Sequence, residues 1–98
     1  MKVGSVIQEI RLKKNISQGD LAKRLGISQT YLSQIEGDKK TPSMEVLQQI
    51  SDSLEIPVYY LMFKGLEVET DIVPEKREAY KQLSPAVASM IEGFFLGK

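Results

Sequence analysis

The reading of this chain turns on one stretch, Ser17-Gln-Gly-Asp-Leu-Ala-Lys-Arg-Leu-Gly-Ile-Ser-Gln-Thr-Tyr-Leu-Ser-Gln-Ile-Glu36. Ser17 has the character of a helix N-cap, because its hydroxyl can accept a bond from an early backbone N–H. Asp20, three residues on, completes a variant of the capping box. Leu21, Ala22 and Leu25 then give a short helix its buried face. Gly26 stops it, since the chain must turn sharply there and glycine takes positive φ at little cost. Ser28 is a second N-cap, Tyr31, Leu32 and Ile35 form the next apolar face, and Gly37-Asp38 closes that helix. Ala22 faces the crossing helix, where a larger side chain would force the pair apart, and Ile27 plugs the gap between the two. Leu21, Leu25, Leu32 and Ile35 read as core, with no functional role.

Outward from this pair, Val3, Val6, Ile7 and Ile10 recur at helical spacing and predict a first helix over 3–14, ended by Asn15. Residues 38–42 form a polar loop. Ser43 caps a fourth helix carrying Leu47, Ile50 and Leu54, and Pro57 opens a fifth over Val58 to Phe63. Residues 64–74 differ: Leu66, Val68, Thr70 and Ile72 alternate with Glu67, Glu69 and Asp71 at a period of two. That pattern fits an extended linker or one short strand, and a lone strand would need a second copy to satisfy its backbone. Pro74 and Ser84-Pro85 open two further predicted helices, 75–83 and 85–96. Val87, Met90, Ile91, Phe94 and Phe95 give the last an apolar stripe.

Composition narrows the function. The 98 residues suit one domain with a small appendage, and 42% hydrophobic content supports a modest core. Cys and His are both absent, which removes disulfides, thiolate nucleophiles, the usual general base and the commonest zinc ligands. No nucleophile–base constellation exists, so an enzyme is not expected, nor is a metal or a cofactor. No stretch approaches the roughly 18 apolar residues of a membrane span. Glu9 and Arg11 interrupt the N-terminal apolar run, so no signal peptide is read and the expected compartment is the cytoplasm. Net charge is zero, but residues 1–40 hold eight Lys/Arg against four acids, while 41–63 hold three acids and no base. The positive end contains the helical pair.

Two short helices joined by a tight glycine turn make a helix-turn-helix. The stretch from Ser17 to Glu36, with the basic loop ending Thr41-Pro42-Ser43 and the later Leu54-x-Ile-Pro-x-x-x-Leu61, resembles the Cro/phage-repressor (Xre-type) regulators. The resemblance covers residues 1 to about 63. It implies an all-α fold: a five-helix, lambda-repressor-like DNA-binding domain over 1–63. The remaining segment, 64–98, is read as a linker plus a C-terminal helical dimerisation extension.

The residues facing outward near the start of the third helix are Gln29, Thr30, Ser33 and Gln34. A recognition helix presents such residues to base edges in the major groove. Gln pairs bidentately with adenine, and Thr touches a thymine methyl. By resemblance to base-touching positions of the family, Gln29, Thr30 and Gln34 are the stronger candidates. Tyr31 packs, with its hydroxyl available to a phosphate. The resemblance places Gln18 where the second helix crosses the DNA backbone, and the positive end of the helix dipole favours a phosphate there. Lys39, Lys40 and Thr41 in the following loop are further phosphate candidates. Lys13, Lys14, Lys23 and Arg24 contribute to the field. The family also sets an Arg and a Glu against each other, which implies a structural pair between Arg11 and Glu36.

The expected function is sequence-specific binding of double-stranded DNA by a homodimer on a palindromic operator, as a transcriptional regulator and in particular a repressor. The alternative for the tail is that it folds back as extra core on its own subunit. The alternative for the whole is a protein-interaction module that holds a regulatory protein partner.

Overall fold

The computed structural model describes residues 1–97. Among the described residues seven helices follow one another: α1 (Gly4–Lys13), α2 (Gln18–Leu25), α3 (Gln29–Glu36), α4 (Met44–Leu54), α5 (Val58–Lys64), α6 (Val68–Asp71) and α7 (Pro74–Phe95). Three of them start on a serine whose hydroxyl accepts an N–H from three residues ahead. The pairs are Ser17 with Asp20, Ser28 with Tyr31, and Ser43 with Val46, at 3.0–3.1 Å. Gly26 ends α2 at φ +70, the left-handed region.

Helices α1 to α5 enclose one core. Ile7, Leu21, Leu32, Ile35, Ile50, Leu54 and Leu61 are fully buried, and Ala22 is nearly so where α2 crosses α3. Leu25 and Ile27 are half-buried against this core. The first helix is shorter than 3–14, with Val3 and Lys14 flanking it. Its start is held from a distance: the Gly4 N–H donates to Asp38 Oδ1 at 3.0 Å, so the second residue past α3 caps α1. Asp38, rather than Gly37, takes the left-handed conformation after α3, at φ +57. The approach leaves no room at Gly4, where a Cβ would sit 2.7 Å from both Asp38 Oδ1 and the Glu36 carbonyl oxygen.

Residues 64–73 depart from both expectations. They are neither strand nor extended linker throughout, because Val68–Asp71 forms one helical turn. Val68 and Ile72 lie four apart, so the alternation satisfies a helical face as well as a strand. Arg77 settles which period wins: its guanidinium donates to the carbonyls of Val68, Ile72 and Glu69 at 2.9–3.0 Å. At the other end, Asp71 Oδ2 accepts from the Glu67 N–H at 2.8 Å, and this bond with the nearby Met1 ammonium holds the Asp71 carboxyl below its usual range.

The two helices predicted over 75–83 and 85–96 are one, Pro74–Phe95, with Pro85 inside it. Proline removes one helical N–H bond, yet packing on α5 carries the helix through. Tyr80 Oη donates to the Phe63 carbonyl at 3.1 Å and its ring lies 5.5 Å from that of Phe63. Ala88 is buried, and Tyr60 Oη donates to Glu92 at 2.9 Å. Burial, and then this bond, push the Tyr60 hydroxyl above its ordinary pKa. The expected single apolar stripe of α7 is therefore split. Ile91 packs inward with Ala88, whereas Met90, Phe94 and Phe95 are 60%, 80% and 43% exposed, and Leu83, two turns before Met90, is 63% exposed.

Gly4→Ala is expected to lower stability by about 1–3 kcal/mol, because the methyl must displace backbone at Ile35 and Glu36 as well as the Asp38 side chain. Thermal unfolding measures it, with a fall of several degrees expected for a domain of this size.

Candidate nucleic-acid interface

The start of α3 is set by Ser28, and its exposed positions follow from which residues the core takes. Leu32 and Ile35 point inward, leaving Gln29, Thr30, Ser33 and Gln34 on the opposite side. With Gln18 from the first turn of α2 they line one open groove. The structure thus gathers residues from two helices into a single face of amides and hydroxyls.

Behind this face lies an ion pair. Arg11 Nε donates to Glu36 Oε2 at 2.7 Å and Arg11 Nη2 to Oε1 at 2.9 Å, a bidentate arrangement. Arg11 and Glu36 are 6% and 5% exposed. The third guanidinium nitrogen donates to the Ile16 carbonyl at 2.9 Å, fixing the turn that precedes α2. Hydrogen bonding to Glu36 raises the Arg11 pKa further. The pair ties α1 to the end of α3, and it also reaches the groove. Gln18 Nε2 donates to Glu36 Oε1 at 3.1 Å, and Gln29 Nε2 donates to Gln18 Oε1 at 3.3 Å.

The flank of the groove is basic. Lys39, Lys40 and Thr41 are exposed in the loop after α3. The Gln34 carbonyl accepts the N–H groups of both Lys39 and Lys40, at 2.9 and 3.2 Å, which shapes the loop. The Lys40 ammonium lies 5.9 Å from the centre of the half-buried Tyr31 ring, a cation–π distance. Lys40 and Thr41 also border Met1 and Lys2, whose charges are paired with Glu67 and Asp71. Tyr31, Lys39, Lys40 and Thr41 stand outside the groove lined by the glutamines. Asp38 was not singled out from sequence; its position next to a helix-ending glycine signals only a turn, and its partner is 34 residues away. Among the described residues, no cluster of acids could hold a metal ion and no helix is long and apolar enough to cross a membrane.

A family model described as helix-turn-helix matches residues 7–61. This chain belongs to the Xre-type helix-turn-helix family of transcriptional regulators. Its similarity to curated relatives agrees. It is 34% identical over 67 residues to the ImmF control region 10 kDa protein of Bacillus phage phi105, covering 68% of this chain and 74% of that one. It is 34% identical over 70 residues to the transcriptional regulator SinR of Bacillus subtilis, covering 70% and 63% respectively. The immunity repressor protein of phage phi105 is 30% identical over 92 residues, covering 94% of this chain and 61% of the repressor. The chain thus spans less than two thirds of the length of the last two. Among solved structures, the complex of SinR with SinI superposes with a TM-score of 0.58 at 27% identity, covering 85% of this chain and 78% of that one. The family is one of DNA-binding regulators, not enzymes.

As an Xre-type protein the chain depends on the Arg11–Glu36 pair for the relation of α1 to α3. Arg11→Ala is expected to cost about 3–5 kcal/mol, since it leaves the Glu36 carboxylate buried without its cation. Replacing the pair together, as Arg11→Met with Glu36→Leu, should recover part of that loss. Chemical denaturation of the three proteins checks both, and an Arg11→Ala protein as stable as the parent would contradict the expectation.

Proposed function

We propose that this protein is a sequence-specific binder of duplex DNA that acts as a homodimer on a palindromic operator and represses transcription in the cytoplasm. The groove of uncharged hydrogen-bonding side chains at the start of α3, beside a lysine loop, carries this reading. In it Gln29, Thr30, Ser33 and Gln34 face base edges, and Gln18 faces the backbone from the first turn of α2. Lys39, Lys40 and Thr41 take phosphates, with Tyr31 holding Lys40 in place. The zero net charge of the chain is compatible with this, because Arg11 and Glu36 cancel inside the fold and the acids of α4 sit on another helix. Residues 1–63 form the DNA-binding unit and 64–98 the assembly element. Repression is favoured by the likeness to a phage immunity repressor.

Dimer formation rests on the outer face of α7. Leu83, Val87, Met90 and Phe94 recur at spacings of four, three and four, the seam of a two-helix coil. Val87 is half-buried and the other three are exposed. Each such side chain is worth about 1.5–3 kcal/mol on burial, against an association cost of at least about 4 kcal/mol. The inner face of the same helix is already committed to α5, so the tail serves its own subunit and a second copy at once. A regulatory protein competing for that outer face is the second reading, favoured by the SinR–SinI complex among the similar structures.

Two experiments test the proposal. The double change Lys39→Ala with Lys40→Ala should flatten the dependence of log Kd on log salt by about two units per subunit, equally on specific and random duplexes. An unchanged slope would remove both lysines from the phosphate contact. Met90→Glu with Phe94→Glu should give a folded monomer by sedimentation that binds a half-site weakly and loses cooperative binding to the full operator. A dimer that persists would move the interface off α7.

A further inference from the structure

Residues 1–4 join two parts of the molecule that share no helix, and they are held at both ends. At one end the Lys2 N–H donates to the Gly65 carbonyl at 2.8 Å. The Met1 ammonium lies 3.2 Å from Glu67 Oε2 and 2.9 Å from Asp71 Oδ2, and the Lys2 ammonium lies 3.7 Å from Glu67 Oε1. Bonds to Asp71 and Glu67 hold the Met1 ammonium above its ordinary pKa. At the other end the Gly4 N–H meets Asp38, the residue before Lys39 and Lys40. Both attachments depend on a missing Cβ. At Gly65 one would sit 2.8 Å from Val3 Cγ1 and 3.0 Å from the Lys2 carbonyl oxygen, as at Gly4 one would meet the end of α3. Gly65 has φ −83 and ψ −5, close to the right-handed helical region that alanine also takes. Its smallness therefore serves the approach of the chain start and not a turn.

The partners of the chain start are themselves fixed by the tail. Arg77 of α7 donates to the carbonyls of Val68, Glu69 and Ile72, and so holds α6 with Glu67 and Asp71 at its two ends. Tyr80 of α7 donates to the Phe63 carbonyl, two residues before Gly65. One line of contacts thus runs from α7 through α6 to Met1 and Lys2. It continues from Gly4 through Asp38 to the loop whose Lys39 and Lys40 amides rest on the Gln34 carbonyl. Charge gives this line a consequence. Glu67 and Lys40 border the same cleft of about 210 Å³. While the chain start is docked its ammonium groups neutralise Glu67, and Lys40 is left to an outside anion. Once the chain start leaves, Glu67 is bare beside Lys40 and Asp38 has lost the Gly4 N–H.

Resting on the DNA-binding reading above, we infer that residues 1–4 are a strap through which the docking of the tail sets the phosphate grip of Lys39 and Lys40. Gly65, Glu67, Asp71 and Arg77 are its positioning residues; the two lysines make the contact. Whatever draws α6 and α7 away from the domain therefore weakens the hold on DNA without touching the recognition helix. Amide exchange in the free protein, followed residue by residue by NMR, is the first measurement. Gly65→Ala displaces the chain start sterically, Glu67→Gln with Asp71→Asn removes its counter-charges, and Arg77→Met frees α6 from α7. In each protein the amides of Gly4, Lys39 and Lys40 should exchange several-fold faster, well beyond any change at Ile50 and Leu54 in the core. Affinity for a random duplex is the second measurement. Glu67→Gln with Asp71→Asn makes the protein two units more positive, which by itself tightens binding to a polyanion. The strap requires the opposite, a several-fold loss. Lys39 and Lys40 amides that accelerate no more than those of Ile50 and Leu54, or an affinity that rises with the charge, overturn the inference and leave DNA binding standing. An unaltered protein that retains no duplex overturns the DNA-binding reading and, with it, the phosphate grip that the strap is inferred to set.

Discussion

The structure depends on one buried charge pair. Arg11 and Glu36 sit where α1, the turn before α2 and the end of α3 converge, and every polar atom they bring inside finds a partner. A buried pair of this kind adds little net stability over an apolar replacement of the same shape, but loss of one member is expensive. Its value lies in geometry. A bidentate fork admits one relative placement of α1 and α3, and the remaining guanidinium bond sets the Ile16 carbonyl, hence the entry to α2. The same carboxylate then reaches Gln18. A core interaction and a surface array of amides are parts of one hydrogen-bonded chain, so the shape of the surface follows from the chemistry of the interior.

The elements that were legible in the sequence are those with local causes. Ser17, Ser28 and Ser43 announce helix starts because a short hydroxyl competes for the first free amides, and Gly26 announces a stop because few other residues take its φ. The grouping of Gln29, Thr30, Ser33 and Gln34 was legible for a similar reason, since Leu32 and Ile35 determine what remains outside. The all-helical class and the regulator family followed from the same stretch.

What escaped was decided by distant contacts. No local pattern tells that Asp38 serves α1 instead of its own turn, or that Gln18 touches both Glu36 and Gln29. At 64–73 two periodicities shared Val68 and Ile72, and the guanidinium of Arg77 chose between them from the next helix. At Pro85 the local rule for proline argued for a break, and the packing of Tyr80, Ala88 and Glu92 against α5 overrode it. The apolar residues of the tail were visible as such, but the division of that helix into an inner and an outer face needed the position of Tyr60.

The cap that α1 takes from Asp38 binds two events in time. A helix of 10 residues is marginal alone in water, and this one has its leading amide closed by a group 34 positions later. Order at the start of the first helix and order in the loop beyond the third therefore favour one another. When the start of α1 frays, the Asp38 carboxylate is released beside Lys39 and Lys40, and the backbone that presents those lysines keeps only its bonds to the Gln34 carbonyl. Local opening at the beginning of the chain is thus transmitted, without any rearrangement of the core, to the loop on which the positive charge is displayed.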